Sequence, residues 1–153
     1  MQTITSAKTS IATVNKVYKD LENGNGKVIV DWGCGSYNHN KDLAESKGWK
    51  WFGYDPYNRS MSENAETLKY LAFNKADLVI CSNVLNVIND DEVMNSLIKE
   101  LNDYGKMIKF TIYEGDGSGI PKVTSKGYQR NAKAKTYNIN GTLKGNIWTV
   151  ITE

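Results

Sequence analysis

The chain is 153 residues long, enough for one hydrophobic core, and 1–153 is expected to fold as a single domain. Charged residues at 24%, hydrophobic residues at 40% and only two prolines exclude a disordered or low-complexity protein, and no apolar run approaches the roughly 20 residues that cross a bilayer. The net charge of +2 is unevenly spread: residues 1–120 hold 13 Lys and Arg against 16 Asp and Glu, whereas 121–153 hold six against Glu153 alone.

Met1 to Ser10 lacks the apolar core of a signal peptide, so the cytoplasm is the expected compartment. Cys34 and Cys81 sit in strand-like segments with no CxxC pair or Cys/His cluster, so neither a disulfide framework nor a metal site is expected.

Taken in order, Ile11, Val14, Val17, Tyr18 and Leu21 recur at helical spacing and predict a helix over 9–22 with Thr9 or Ser10 as N-cap. Asn23 to Gly26 stops it, and the β-branched run Val28-Ile29-Val30 predicts a strand buried on both faces and ending at Asp31. A glycine turn, a helix over about 38–47 and a second strand over 49–54, closed by Asp55-Pro56, complete a βαβ unit. A helix over 61–73 follows, with Ser62 as N-cap and Leu68, Leu71 and Phe73 as its buried stripe. Asp77 to Cys81 is the third strand. Asp90 caps a helix over about 91–103 that Gly105 ends in the usual C-terminal position, and Lys106 to Tyr113 is a fourth strand. Beyond it, Gly115 to Gly119 reads as a flexible loop, 121–137 as basic and ambiguous, and 146–152 as a terminal strand.

The chemistry concentrates at the first strand end. Asp31-Trp32-Gly33-Cys34-Gly35 follows a buried strand, and Asp55 ends the next strand 20 residues after Gly35. Glycines let a backbone turn tightly against a ligand, and a carboxylate at the second strand end accepts hydrogen bonds from ribose hydroxyls, so the pattern suits an adenosine-type ligand. The dinucleotide fingerprint wants a third glycine where this chain has Asn38, and an acid at position 31 would oppose a pyrophosphate. An acid there favours a ligand with a positive end, and S-adenosylmethionine (SAM) carries an ammonium and a sulfonium in place of phosphates.

On these residues the chain resembles the class I SAM-dependent methyltransferases. Asp31 to Gly35 is similar to that family's DxGxG motif, Gly53-Tyr54-Asp55-Pro56-Tyr57 to its acidic second-strand motif, and Ala76 to Ile88 to its fourth-strand motif. The likeness spans about 9–112, and Gly127 to Asn131 resembles a segment that small phage-type members carry. It implies an α/β, Rossmann-like three-layer sandwich with a mainly parallel sheet and an antiparallel last strand. It also implies that Asp31 orients the methionine amino group, Gly33, Cys34 and Gly35 pass the cofactor backbone, and Asp55 holds the ribose. Pro56 and Tyr57 would flank the adenine, and Asn83, Val84 and Leu85 would line the methyl side. Two departures stand out. Only 21 residues separate Asp55 from Asp77, which predicts a fold reduced between the second and fourth family strands. Neither the [DNS]PP[YFW] signature of amino-methylating DNA enzymes nor a Pro-Cys nucleophile is present.

Among the remaining candidates, His39 reads as a solvated first-turn histidine rather than a general base, Cys34 and Cys81 as packing thiols, and Trp32, Trp49 and Trp51 as core residues. Glu114 and Asp116 read equally as substrate contacts or as a solvated loop. Lys122, Lys126, Arg130, Lys133, Lys135 and Lys144, interleaved with Tyr128, Gln129, Asn131 and Tyr137, suit an anionic partner, nucleic acid or nucleotide ahead of a small acidic metabolite. The expected function is methyl transfer from SAM, with no catalytic residue assigned because orienting an already activated methyl group supplies most of the rate. The alternative is a catalytically silent module that binds SAM or nucleic acid.

Overall fold

A computed structural model describes residues 15–125 and 127–153. The predicted N-cap at Thr9 or Ser10, with Ile11 and Val14, lies outside these residues, as does Lys126.

Four parallel strands form one side of the sheet: β1 (Val28–Trp32), β2 (Lys50–Tyr54), β3 (Leu78–Ser82) and β4 (Met107–Thr111). The hairpin of β7 (Thr142–Lys144) and β8 (Ile147–Ile151) adds to β4 through antiparallel β8, giving the order β2-β1-β3-β4-β8-β7. A separate two-stranded hairpin pairs β5 (Lys122–Thr124) with β6 (Gly127–Gln129). This is the Rossmann-like α/β arrangement with an antiparallel last strand, and β2 is an edge strand.

Strand alternation builds the three layers. Ile29, Trp51, Leu78 and Ile80 face one side, where they meet Val17 and Tyr18 of α1 (Lys16–Lys19) and Ala44 of α2 (His39–Ser46). Val28, Val30, Phe52, Val79 and Cys81 face the other, against Leu71 of α3 (Met61–Phe73) and Met94, Ile98 and Leu101 of α4 (Asp91–Tyr104). Tyr137 and Ile139, from the basic end, pack into this second core.

Several elements depart from their sequence-based expectation for identifiable reasons. In the described chain, α1 is a single turn capped by the Asn15 side chain, not a helix running to 22. Its far end is stopped by Lys47, whose Nζ donates to the carbonyls of Tyr18, Lys19 and Leu21 at 2.9–3.3 Å. Helix α3 is capped by Ser60 rather than Ser62: Ser60 Oγ accepts from Glu63 N at 3.1 Å, the Ser-x-x-Glu spacing of a capping box. Gly105 does follow α4, but with extended backbone (φ −132°); glycine is needed because a Cβ would lie 2.7 Å from Val79 Cγ2. The Gly115–Gly119 turn is pinned: Gly119 N donates to Asn131 O at 2.7 Å, and Asp116 accepts from Ser118 N and Oγ. Neither β7 nor the β5–β6 hairpin was expected; each strand has three residues, too few to show alternation.

The inward face of α3 is the most informative departure. Leu71 is buried, but Leu68 and Phe73 are exposed (42% and 84%), and Thr67 takes the buried position (1%). In a parallel pair, alternate residues turn their backbone groups toward the neighbour. Lys50 N bonds Lys27 O, and Tyr54 O accepts from Gly33 N, so the backbone groups of 51, 53 and 55 point away from β1. Thr67 Oγ1 donates to Gly53 O at 2.5 Å, while Asn64 accepts from Asp55 N (2.8 Å) and donates to Asp55 O (3.1 Å). Side chains of α3 thus satisfy backbone groups that a further strand would otherwise pair.

Candidate functional site

The sequence-selected residues converge where the parallel strands end. Register sets Asp31 beside Gly53 and Trp32 beside Tyr54 on β1 and β2, and Asp31 beside Ile80 on β3. Just past β1, Gly33 and Gly35 have φ of +80° and +73°, the left-handed region that costs glycine nothing. Gly33 N donates to Tyr54 O at 2.7 Å, and a Cβ on Gly33 would come within 2.5 Å of Val84 Cγ2, so the turn lies directly against the segment after β3.

Asp31 is 3% exposed and faces the α1 layer. Tyr18 Oη donates to its Oδ2 at 2.5 Å, and Trp51 Nε1 donates to Tyr18 Oη at 2.8 Å, forming a directed chain Trp51–Tyr18–Asp31. Burial nonetheless dominates, and the Asp31 carboxyl is pushed up to about 7; the Tyr18 bond and the Arg59 charge oppose the shift, and Asp55 adds to it. Tyr18 is itself raised well above the ordinary phenol range, first by burial and then by the Asp31 charge, so it remains a proton donor.

Asp55 is 6% exposed and clamps the turn. Its Oδ2 accepts from Gly35 N (2.9 Å) and Asn58 Nδ2 (3.0 Å), and its Oδ1 from Tyr57 N (3.0 Å). A carboxylate offers about four acceptor positions, so three are used. Pro56 and Tyr57 are exposed beside it.

Arg59 carried no signal in the sequence. Its side chain is only 5% exposed. Nε donates to Gly35 O (2.8 Å), Nη2 to Tyr37 O (2.7 Å), and Nη1 to Asn38 Oδ1 (2.7 Å) and Glu63 Oε2 (3.3 Å), while the guanidinium lies 5.2 Å from the Trp51 ring centre. One side chain therefore holds residues 35–38 in place. Asp31, Asp55 and Arg59 together carry one net negative charge when both acids are ionised.

Segment 83–88 forms the other wall. Asn83 is exposed, with φ +58°, a conformation asparagine tolerates better than most residues, and its N–H bonds Thr111 O at 2.8 Å. Val84 is half-buried, whereas Leu85 is fully buried in the core on the α4 side and shapes the wall from behind. Asn86 is fully buried too. Its Nδ2 donates to Gln129 Oε1 (3.0 Å), its Oδ1 accepts from Tyr113 N (3.3 Å), and its carbonyl accepts from Arg130 N (2.9 Å), stapling the basic end to this wall. Pairs so distant in sequence leave no local pattern.

The remaining candidates have mostly structural partners. Burial raises both the Cys34 and Cys81 thiols well out of the nucleophilic range. Trp32 stacks on Tyr54 at 4.0 Å. His39 is half-buried, its ring 5.7 Å from that of Tyr37. Glu114 accepts from Ala134 N at 2.7 Å. Of the basic residues, Lys122 faces Asp116 at 4.0 Å, Arg130 pairs with Asp91 at 2.6 Å, and Lys133, Lys135 and Lys144 are exposed. Among the described residues no group of three or more His, Cys, Asp or Glu could hold a metal ion, and no helix is long and apolar enough to cross a membrane.

No family model and no curated protein matches the sequence. Among solved structures, the chain is similar to a magnesium protoporphyrin IX methyltransferase from Synechocystis PCC 6803 with bound SAM, at 21% identity and a TM-score of 0.43. That match covers 68% of this chain and 52% of the other, so the chain spans about half the length of the protein it matches.

Proposed function

We propose that this domain binds SAM at the ends of β1 and β2 and transfers its methyl group to an anionic acceptor, a nucleic acid or nucleotide. The observation that carries the reading is the charge pattern of the cradle: two buried acids, one on each side of a left-handed glycine turn, with a single arginine committed to that turn. With both acids ionised the cradle is net negative, which repels phosphates and suits SAM, whose ammonium, sulfonium and carboxylate sum to one positive charge.

The residues fit the group. Asp31, which holds its proton up to about pH 7, would ionise against the ammonium, and Asp55 would take a ribose hydroxyl at its remaining acceptor position. Asn58, already bonded to Asp55, would yield its place to the second hydroxyl. Gly33, Cys34 and Gly35 would pass the cofactor backbone, Pro56 and Tyr57 would flank the adenine, and Asn83 and Val84 would line the methyl side. When bound, SAM supplies a methyl group already activated by its sulfonium, so the protein's task is orientation, worth on the order of 7–11 kcal/mol. Exposed Lys133, Lys135 and Lys144 would attract the acceptor.

Titration calorimetry with SAM and S-adenosylhomocysteine tests the donor site. Asp55→Ala should weaken binding by about 1.5–3 kcal/mol, the worth of hydrogen bonds to a charged group. No binding at millimolar ligand overturns the reading. A labelled-methyl assay over DNA, RNA, nucleotides and protein extracts tests the transfer; binding without transfer to any of them would favour a SAM-binding accessory module.

A further inference from the structure

Tyr18 is fully buried, yet it is delivered to the sheet by a helix of only four residues that clamps from distant parts of the chain hold at both ends. At the first end Asn15 Oδ1 accepts from Tyr18 N (3.2 Å), while Asn15 Nδ2 donates to Ser82 Oγ (3.3 Å) and Asn15 N to Asn40 Oδ1 (3.3 Å), tying α1 to the tip of β3 and to α2. At the second, Lys47 closes on the carbonyls of Tyr18, Lys19 and Leu21. One helical turn is not stable by itself, so these bonds fix where the phenol lies.

The direction of the protons follows from the donors present. An indole N–H only donates, so Tyr18 Oη accepts from Trp51 Nε1 and gives its own hydrogen to Asp31 Oδ2. That bond occupies Oδ2 as an acceptor. Asp31 Oδ1 makes no hydrogen bond among the described residues and is not one of the buried polar atoms sealed off without a partner, so it is the oxygen that still reaches the surface. A proton taken up by the acid therefore goes to Oδ1, where a ligand cation would also bind. Burial is the largest influence on the acid and opposes its charge, as does Asp55; Tyr18 favours the charge most, ahead of Arg59. The neighbouring Cys34 and Cys81 thiols stay protonated through burial.

We infer that Tyr18 is a positioning residue of the donor site: by holding Oδ2 it directs Asp31 Oδ1 to the ligand ammonium and makes ammonium and proton compete for that one oxygen. This role rests on the cradle being a SAM site. Ligand binding at low pH then expels a proton, and the phenol sets the pH at which the acid becomes available. Packing alone would be served by phenylalanine.

The test titrates the full chain by calorimetry, between pH 6 and 9, with S-adenosylhomocysteine, which has the ammonium, and with methylthioadenosine, which lacks it. With an acid that titrates at about 7, the first ligand should expel about one proton from the unmodified chain at pH 6 and almost none at pH 9, read from buffers of different ionisation enthalpy, and the second should expel none. Tyr18→Phe should weaken S-adenosylhomocysteine about fivefold or more at pH 7, by a ratio that shrinks as pH rises, and leave methylthioadenosine within about twofold. Circular dichroism checks the variant's fold; if it is lost, the proton counts of the unmodified chain decide. Absence of proton release at pH 6, equal weakening of both ligands at every pH, or unchanged affinity in the variant overturns the role of Tyr18 while leaving the donor site standing. Failure of S-adenosylhomocysteine to bind the unmodified chain overturns the donor site itself, and this role with it.

Discussion

The chain has two arginines, with side chains only 5% and 14% exposed, and the fold treats them in opposite ways. Among the described residues, Arg59 spends its donors on four acceptors and locks the turn after β1, whereas Arg130 has one side-chain acceptor and leaves a whole edge of its guanidinium without a partner. The first pattern rigidifies a turn, whereas the second leaves buried donors unpaired at a cost in stability. Asp31 offers a third solution: it relieves its burial by holding a proton up to about pH 7, an escape closed to arginine.

Removing the two arginines is the sharpest way to break this contrast. Arg59→Ala should cost about 3–5 kcal/mol, as for a buried charge network losing one partner, and should uncouple residues 35–38; urea unfolding measures it. Arg130→Ala should cost about 1 kcal/mol or less, since its only ionic partner is 78% exposed and its other polar groups were unpaired. Equal losses would erase the distinction.

The next largest effect concerns Asp31, and its sign depends on pH. Its pKa is about 7 in the fold against 3.8 unfolded, so the folded state binds the proton more tightly. The stabilisation is complete below the unfolded value and is lost as pH rises through about 7. Melting temperatures should therefore show an Asp31 contribution that declines from about pH 4 to 8, and Asp31→Asn should remove that slope and stabilise the protein at pH 8 by about 1–3 kcal/mol. SAM affinity should respond in the opposite sense, weakening about tenfold between pH 8 and 6 as the carboxylate is protonated. A smaller change is expected for Thr67→Val: losing the donor to Gly53 O should cost about 1–2 kcal/mol in a thermal melt. Smallest of all, the double variant Lys133→Ser, Lys135→Ser should stay within about 0.5 kcal/mol in stability and spare SAM binding, while lowering retention on an oligonucleotide column.

Local signals explain what the sequence made readable. The strand-end acids, the glycine turn, the four parallel strands and the shortened stretch between Asp55 and Asp77 each leave a compact pattern within a few tens of residues. The Trp51–Tyr18–Asp31 chain joins residues 13 and 33 apart, and Arg59 reaches back 24 residues to Gly35; no spacing rule links such pairs before the strands assemble. Helix α3 misled because hydrophobic periodicity assumes that the inward face is apolar. Here it must also satisfy backbone groups, so Thr67 goes inside while Phe73 stays outside. Likewise, the basic end shows its charge in sequence, but only the fold reveals that Arg130 turns inward while Lys133 and Lys135 remain on the surface.

The threonine and asparagine that α3 turns toward β2 have an architectural consequence. Two polar side chains at the right helical spacing stand in for part of a missing neighbour, so a sheet of this type can be narrowed from one side without leaving those positions sticky toward other chains. The width of such a sheet is then an adjustable dimension: the rim can be trimmed while the strand tips that carry the two acids stay where they are.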